Sequence, residues 1–289
     1  MSTSTVVRPS ARVAFSGLID YAGLFPPAQL SLAEAREEYA RARWSAHAWM
    51  LARFILRESQ LSGWGDDVVP LSLILDDPGA IETLQRRRSD IEALEVPPPL
   101  APFREALRDL HGRLNALELT ELPVFVEVPR AAERSGEVPA FLNALKERGF
   151  GAKLRCGGVT AEAFPTIEEI VHFLNAAREA DIAFKATAGL HHPVRHRDGA
   201  TGFVMHGFLN LLAAAALAGR VEPATLEAVV AEEEPGAFSF DERSFTWRGQ
   251  DIGISELESL RRDRFVSYGS CSFAEPVEDL TALGILPCP

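Results

Sequence analysis

Cysteine is scarce in this chain. Three occur among 289 residues, Cys156, Cys271 and Cys288, and no two have CxxC spacing. So small and odd a number excludes a disulfide framework or a zinc ribbon, and it points to a reducing compartment. Positive charge is also short. Lysine and arginine total 29 against 41 aspartates and glutamates, a formal net charge of -12. That balance argues against nucleic acid or an anionic membrane as a partner. A local basic pocket for a small anionic substrate stays open. Long apolar runs are missing too. The most apolar stretch, Phe208 to Ala218, is too short to span a bilayer, and the opening MSTSTVVRPS lacks the apolar core of a signal peptide. The expectation is a soluble, cytoplasmic protein, with homo-oligomerisation left open. No GxGxxG turn follows the first strand-like segment, which weighs against a doubly wound dinucleotide-binding sheet.

What is present is an alternation. After a tail expected over residues 1–11, strand-like segments fall at Ser16–Gly23, Trp49–Arg57, Pro70–Leu75, Ile91–Val96, Pro123–Val128, within GAKLRCGG and AFKATAGL, and at Phe265–Cys271. Helical segments lie between them. One is capped by Ser31, a short polar one covers Glu58–Trp64, and one starts at Pro78. Others cover Leu100–Leu117 and Pro139–Arg148, and one starts near Thr166. Phe203–Ala218, Ala224–Glu232, the stretch SELESLRR and Pro276–Leu283 complete the set. Eight strands, each followed by a helix, predict a single (β/α)8 barrel over residues 12–289. The segment Phe238–Gly249 alternates and predicts a β-hairpin inserted before the eighth strand. Such an insertion lies on the N-terminal face of a barrel, so its aromatic residues should cover the barrel bottom or a subunit contact.

Two of the strands each carry a lysine where a buried strand should be apolar. Lys153 shares a strand face with Arg155, and Lys185 shares one with Thr187 and Gly189. A helix-length connection joins the two segments, so adjacent parallel strands would set the lysines side by side. In strand five Val124, Val126 and Val128 share one face, which leaves Phe125 and Glu127 pointing inward, with Lys153 the natural partner of Glu127. A cationic neighbour and an apolar wall both favour a neutral amine, which can attack a carbonyl and form an iminium. One lysine is therefore expected to titrate below its usual value. If Glu127 pairs tightly with Lys153, that shift shrinks or reverses there and Lys185 becomes the better nucleophile candidate. Asp20 and Tyr268 join Glu127 as candidates for proton transfer. Arg53, Arg155, His191 and His192 are candidates for holding the substrate. Arg57, Asp76, Asp77 and Glu95 also fall at strand ends, without an assigned role.

GAKLRCGG, AFKATAGL and SYGSCS together resemble the deoxyribose-phosphate aldolase family and related Schiff-base barrel aldolases. The resemblance covers about the last half of the chain. It implies a Schiff base at Lys153, a pKa-lowering role for Lys185, and a phosphate near Gly189, Gly269 and Ser270. The leading expectation is thus a lyase of the class I aldolase type, acting on a small anionic carbonyl compound, with no cofactor and no metal ligand assigned. One rival is a metal-dependent isomerase or lyase using Glu127 with His191 and His192. The other is a non-catalytic barrel that binds a small acid. Cys271 is a candidate thiol with no base paired to it.

Overall fold

The computed structural model describes residues 6–65, 67–76, 84, 88–99 and 102–288. A helix, α1 (Pro9–Phe15), precedes the barrel and leads into strand β1 (Ile19–Tyr21). Then come α2 (Leu32–Arg43), β2 (Leu51–Arg57) with a short 3-10 stretch after it, β3 (Leu71–Ile74) and β4 (Ile91–Val96). Helix α3 (Phe103–Ala116) connects to β5 (Val124–Glu127), and α4 (Arg130–Ser135) with α5 (Val138–Lys146) connects to β6 (Gly151–Arg155). Helix α6 (Ile167–Glu179) leads to β7 (Phe184–Thr187). A small antiparallel pair follows, β8 (His196–Arg197) and β9 (Val204–Met205), then α7 (Phe208–Leu217) and α8 (Pro223–Ala231). A three-stranded sheet, β10 (Phe238–Phe240), β11 (Ser244–Trp247) and β12 (Gln250–Gly253), precedes α9 (Ile254–Asp263), β13 (Phe265–Ser270) and α10 (Ala274–Ala282). Most of the helix expected from Pro78 lies outside the described residues, as does Asp77.

Eight parallel strands close into a barrel in the order β1-β13-β7-β6-β5-β4-β3-β2. The (β/α)8 expectation is met, and the physical basis is the one visible in the sequence. Most strand residues are buried, because one set of side chains fills the barrel interior and the other packs under the helices. Several elements differ from expectation, among them β1, which is confined to Ile19–Tyr21, and α4, which has no expected counterpart. Helix α1 begins at Pro9, inside the expected tail, because Ala11, Ala14 and Phe15 are fully buried. The seventh helix starts at Phe208 rather than Phe203, since residues 196–205 fold back as the β8–β9 pair. The predicted hairpin is a three-stranded sheet, because Gln250–Gly253 adds a strand to β11.

That sheet lies at the barrel bottom. Ser10 Oγ donates to the Asp241 carbonyl at 2.6 Å, and Phe15 packs 5.1 Å from Phe240, which stacks on Phe245 at 4.4 Å. Since α1 runs into β1 from its N-terminal end, these aromatics cover the face opposite the strand C-termini. Among the described residues, no helix is long and apolar enough to cross a membrane.

Local signals set the helix that links the two lysine strands. Thr166 Oγ1 accepts the Glu169 N–H at 3.1 Å, and Glu169 Oε2 accepts the Thr166 N–H at 2.7 Å. This reciprocal cap satisfies two amide donors that the helix itself leaves unpaired. Thr166→Ala is expected to cost about 1 kcal/mol. A lower urea midpoint with an unchanged slope would show it, and a midpoint identical to wild type would mean the cap contributes nothing.

Candidate active site

Register brings the lysines together as expected. Lys153 pairs with Lys185 across β6 and β7, and Glu127 with Lys153 across β5 and β6. All three side chains point into the barrel, where Lys153 is 4 % exposed and Lys185 1 %. They are not left as neighbouring bare amines. Glu95, on β4, reaches both. Its Oε1 lies 2.6 Å from Lys185 Nζ and its Oε2 lies 3.2 Å from Lys153 Nζ. Lys185 also meets Asp20 Oδ2 at 2.7 Å and Ser72 Oγ at 2.9 Å. Three acceptors thus match the three N–H donors of an ammonium. Lys153 meets Glu127 Oε2 at 3.1 Å.

The electrostatics follow from this count. Burial works against the charge on Lys153, but Glu95 and Glu127 outweigh it and raise its pKa. Burial likewise opposes ionisation of Glu95. Lys185 and Lys153 override it and hold the carboxyl far below its usual range. Glu127 is lowered in the same way by Lys153 and Arg155. The expected depression of a lysine pKa is therefore reversed at Lys153. The expectation set the neighbouring charge and desolvation against Glu127 alone, and tight pairing of Glu127 with Lys153 is the case in which a reversal at Lys153 was expected. The carboxylates between and beside them supply the larger, opposite effect.

Other predicted residues separate into those at this network and those away from it. Asp20 is fully buried, and besides Lys185 it accepts from Ser267 Oγ at 2.5 Å and from the Arg53 backbone N–H at 3.1 Å. Arg53 sits between Asp20 (3.5 Å) and Glu92 (3.3 Å), so its charge is committed to carboxylates rather than to a substrate. Arg155 is more open, with 38 % of its side chain exposed, while its Nε donates to Glu127 Oε1 at 2.8 Å. Tyr268 does not join the group. It faces the helix layer, stacked on Phe208 at 5.2 Å, fully buried. Ser270 Oγ is likewise committed, donating to the Ser272 carbonyl at 2.6 Å. Gly269 presents its bare backbone to the interior, where an added Cβ would come 3.2 Å from Ile55 Cδ1. Gly189 has φ +70 and packs on Cys156 and Gly157, with an added Cβ only 3.1 Å from each. That contact between loops explains the glycine without a phosphate.

A second cluster lies at the strand C-termini, where the loops after β7 and β13 bring His191 and Cys271 to Glu275 in the first turn of α10. His191 Nδ1 is 3.5 Å from Cys271 Sγ and 3.7 Å from Glu275 Oε2. The three donor atoms all lie within 4.8 Å of one another. Burial, with His192 and His196 adding their charge, pulls the pKa of His191 down to about 4. Its ring is therefore neutral and ready to act as a ligand. Burial pushes the Cys271 thiol up to about 11 and raises the Glu275 carboxyl as well. Burial thus disfavours both negative forms, and at Glu275 it outweighs the opposing charge of His192. The same ring nitrogen faces thiol and carboxylate, which is unlike a nucleophile–base–orienter chain, where the two ring nitrogens serve different partners. It is the arrangement in which three donors converge on one point, capable of metal coordination.

The metal set expected from sequence is thereby only partly met. His191 is in the cluster, but His192 Nδ1 is held by Asp279 at 2.6 Å, and Glu127 is bound to Lys153 and Arg155. Cys271, left without a base by sequence reasoning, has His191 beside it. Sequence reasoning missed Glu275 and gave Glu95 no role. Strand parity, which puts Ile91, Ala93 and Glu95 on one face, was the available signal for Glu95. Cys156, just past the end of β6, is wholly buried in the core. No protein-family model matches this chain and no curated protein matches it, so the (β/α)8 fold is shown without any particular aldolase family.

Proposed function

We propose that the chain is a metal-dependent lyase or isomerase acting on a small anionic substrate, with His191, Cys271 and Glu275 as the metal ligands. One observation carries this reading. Tetrahedral coordination with bonds of about 2.0–2.3 Å puts donor atoms roughly 3.4–3.6 Å apart, and His191 Nδ1 stands 3.5 Å from Cys271 Sγ and 3.7 Å from Glu275 Oε2. Three protein ligands leave one position free, as in catalytic rather than structural sites. A divalent ion there would polarise a substrate oxygen or acidify a bound water. Arg155, half open at the end of β6, would pair with the substrate's anionic group. The Lys153–Glu127 pair beside it would hold a proton inventory at the end of the barrel interior.

The lysine iminium has less support. Lys185 has an acceptor for each of its N–H donors, and Lys153 is held protonated by two carboxylates. Metal analysis tests the choice. The purified protein, or protein refolded with zinc, manganese or cobalt, is expected to hold about one ion per chain. The cobalt form should show a thiolate charge-transfer band, and Cys271→Ser should lose that band. His191→Ala should bind far less metal, while Lys185→Met should bind as wild type does. Absence of stoichiometric metal under all these conditions would overturn the reading, as would a Cys271→Ser protein with unchanged affinity.

A further inference from the structure

Arg155 ends the ionic layer at the barrel mouth. Strand alternation puts it on the inward face with Lys153, two residues nearer the C-terminal end of β6. Its side chain is 38 % exposed, while Lys153 and Lys185 below it are buried. Glu127 takes one edge of the guanidinium, with Nε 2.8 Å from Oε1 and Nη2 3.5 Å from Oε2. The end formed by Nη1 and Nη2 keeps its N–H fork, apart from a long 3.5 Å contact of Nη1 with the Gly157 carbonyl. Glu127 also binds Lys153, so one carboxylate serves two cations and Arg155 keeps part of its charge. The neighbour of Arg155 across β6 and β7 is Thr187, which is half-buried. An added Cβ on Gly269 would meet Thr187 Oγ1 at 3.5 Å, so this hydroxyl faces the interior where Gly269 presents bare backbone. Among the described residues, nothing donates to or accepts from it.

A guanidinium fork with a hydroxyl beside it matches a carboxylate that carries an oxygen on the adjacent carbon. A phosphate is matched less well. The layer under Arg155 balances three cations, Lys153, Lys185 and Arg155, against three carboxylates, Asp20, Glu95 and Glu127. A monocarboxylate adds one negative charge to that balance, and a phosphate monoester adds about 1.5–2. We propose that Arg155 and Thr187 together bind a 2-hydroxy or 2-oxo carboxylic acid. The carboxylate takes the Nη1–Nη2 end of Arg155, and the oxygen on the next carbon bonds to the Thr187 hydroxyl. His191 follows in the loop after the same strand, so the acid lies between Arg155 and the metal cluster. As the substrate class of the enzyme this rests on the metal reading, but the binding itself needs no ion.

The test titrates the full chain, with and without added zinc, using four probes: lactate, acetate, lactamide and methyl phosphate. Nitrogen-detected NMR follows the Arg155 guanidinium, whose signals are assigned through Arg155→Lys. Lactate is expected to shift those signals in both preparations. It should bind about tenfold more tightly than each other probe, which lacks either the second oxygen, the charge or the planar carboxylate. Thr187→Val keeps the side chain's shape without its hydroxyl and should reduce lactate to the affinity of acetate. Methyl phosphate binding as tightly as lactate would overturn the proposal. So would unmoved Arg155 signals at millimolar lactate, or wild-type lactate affinity in Thr187→Val. A protein that holds no ion but still binds lactate at Arg155 sinks the metal reading alone. A protein that holds its ion and leaves Arg155 unmoved sinks this proposal alone.

Discussion

Glu95→Ala is expected to destabilise the protein by about 3–5 kcal/mol, the cost of breaking a buried ion pair by removing one partner. Glu95 is 1 % exposed and, among the described residues, is the one carboxylate that both ammonium groups share. Its removal leaves Lys153 with Glu127, leaves Lys185 with Asp20, and sets two buried cations side by side with less compensation. It also leaves the Ser72 hydroxyl proton without its acceptor, which is Glu95 Oε1 at 2.7 Å. Urea unfolding measures the loss. A second substitution, Lys185→Met, should restore part of it by removing the uncompensated cation, and a double variant no more stable than Glu95→Ala would show that the pairing carries little energy. The milder Glu95→Gln bears on chemistry. With one negative charge gone, the amines become easier to deprotonate. Borohydride trapping with small aldehydes and keto acids should then mark Lys153 or Lys185 in the variant and neither in wild type. An adduct on wild-type Lys153 or Lys185 would bring back the iminium reading.

Stability should fall steeply in acid. Glu95 and Glu127 both have folded-state pKa values below the ordinary 4.5. Their contribution is therefore complete above about pH 4.5, where both states are ionised, and is lost as pH drops towards the folded values. Between those limits the unfolded chain binds more protons, so protonation favours unfolding. A strongly paired carboxylate contributes on the order of 2–3 kcal/mol in this way. Lys153 has the opposite sign. Its folded pKa lies above the usual 10.5, so its contribution holds below that pH and disappears as pH rises through the folded value. The ionic layer therefore stabilises the fold across the whole neutral range and fails at both ends. Urea midpoints measured from pH 7 to pH 3 should drop, and Glu95→Gln should show a shallower drop because it lacks the group that titrates. Equal slopes in variant and wild type would assign the acid loss to other carboxylates.

The sequence by itself determined the barrel. Strand and helix periods, prolines and caps are local, so the alternation could be counted before any contact was known. It also determined the Lys153–Lys185–Glu127 neighbourhood. These residues lie on consecutive strands β5, β6 and β7, and side-chain alternation in a parallel sheet fixes which faces meet. Tertiary structure alone decided what surrounds them. β4 and β7 are not sheet neighbours, so whether Glu95 reaches Lys185 depends on strand tilt and stagger across the closed interior, quantities no single segment carries. The same holds for Cys271 and His191, which lie 80 residues apart. They meet because two loops of irregular backbone end next to each other above β7 and β13. A strand's period says which way its side chains point, but a loop has no period, and its path is set by what it packs against.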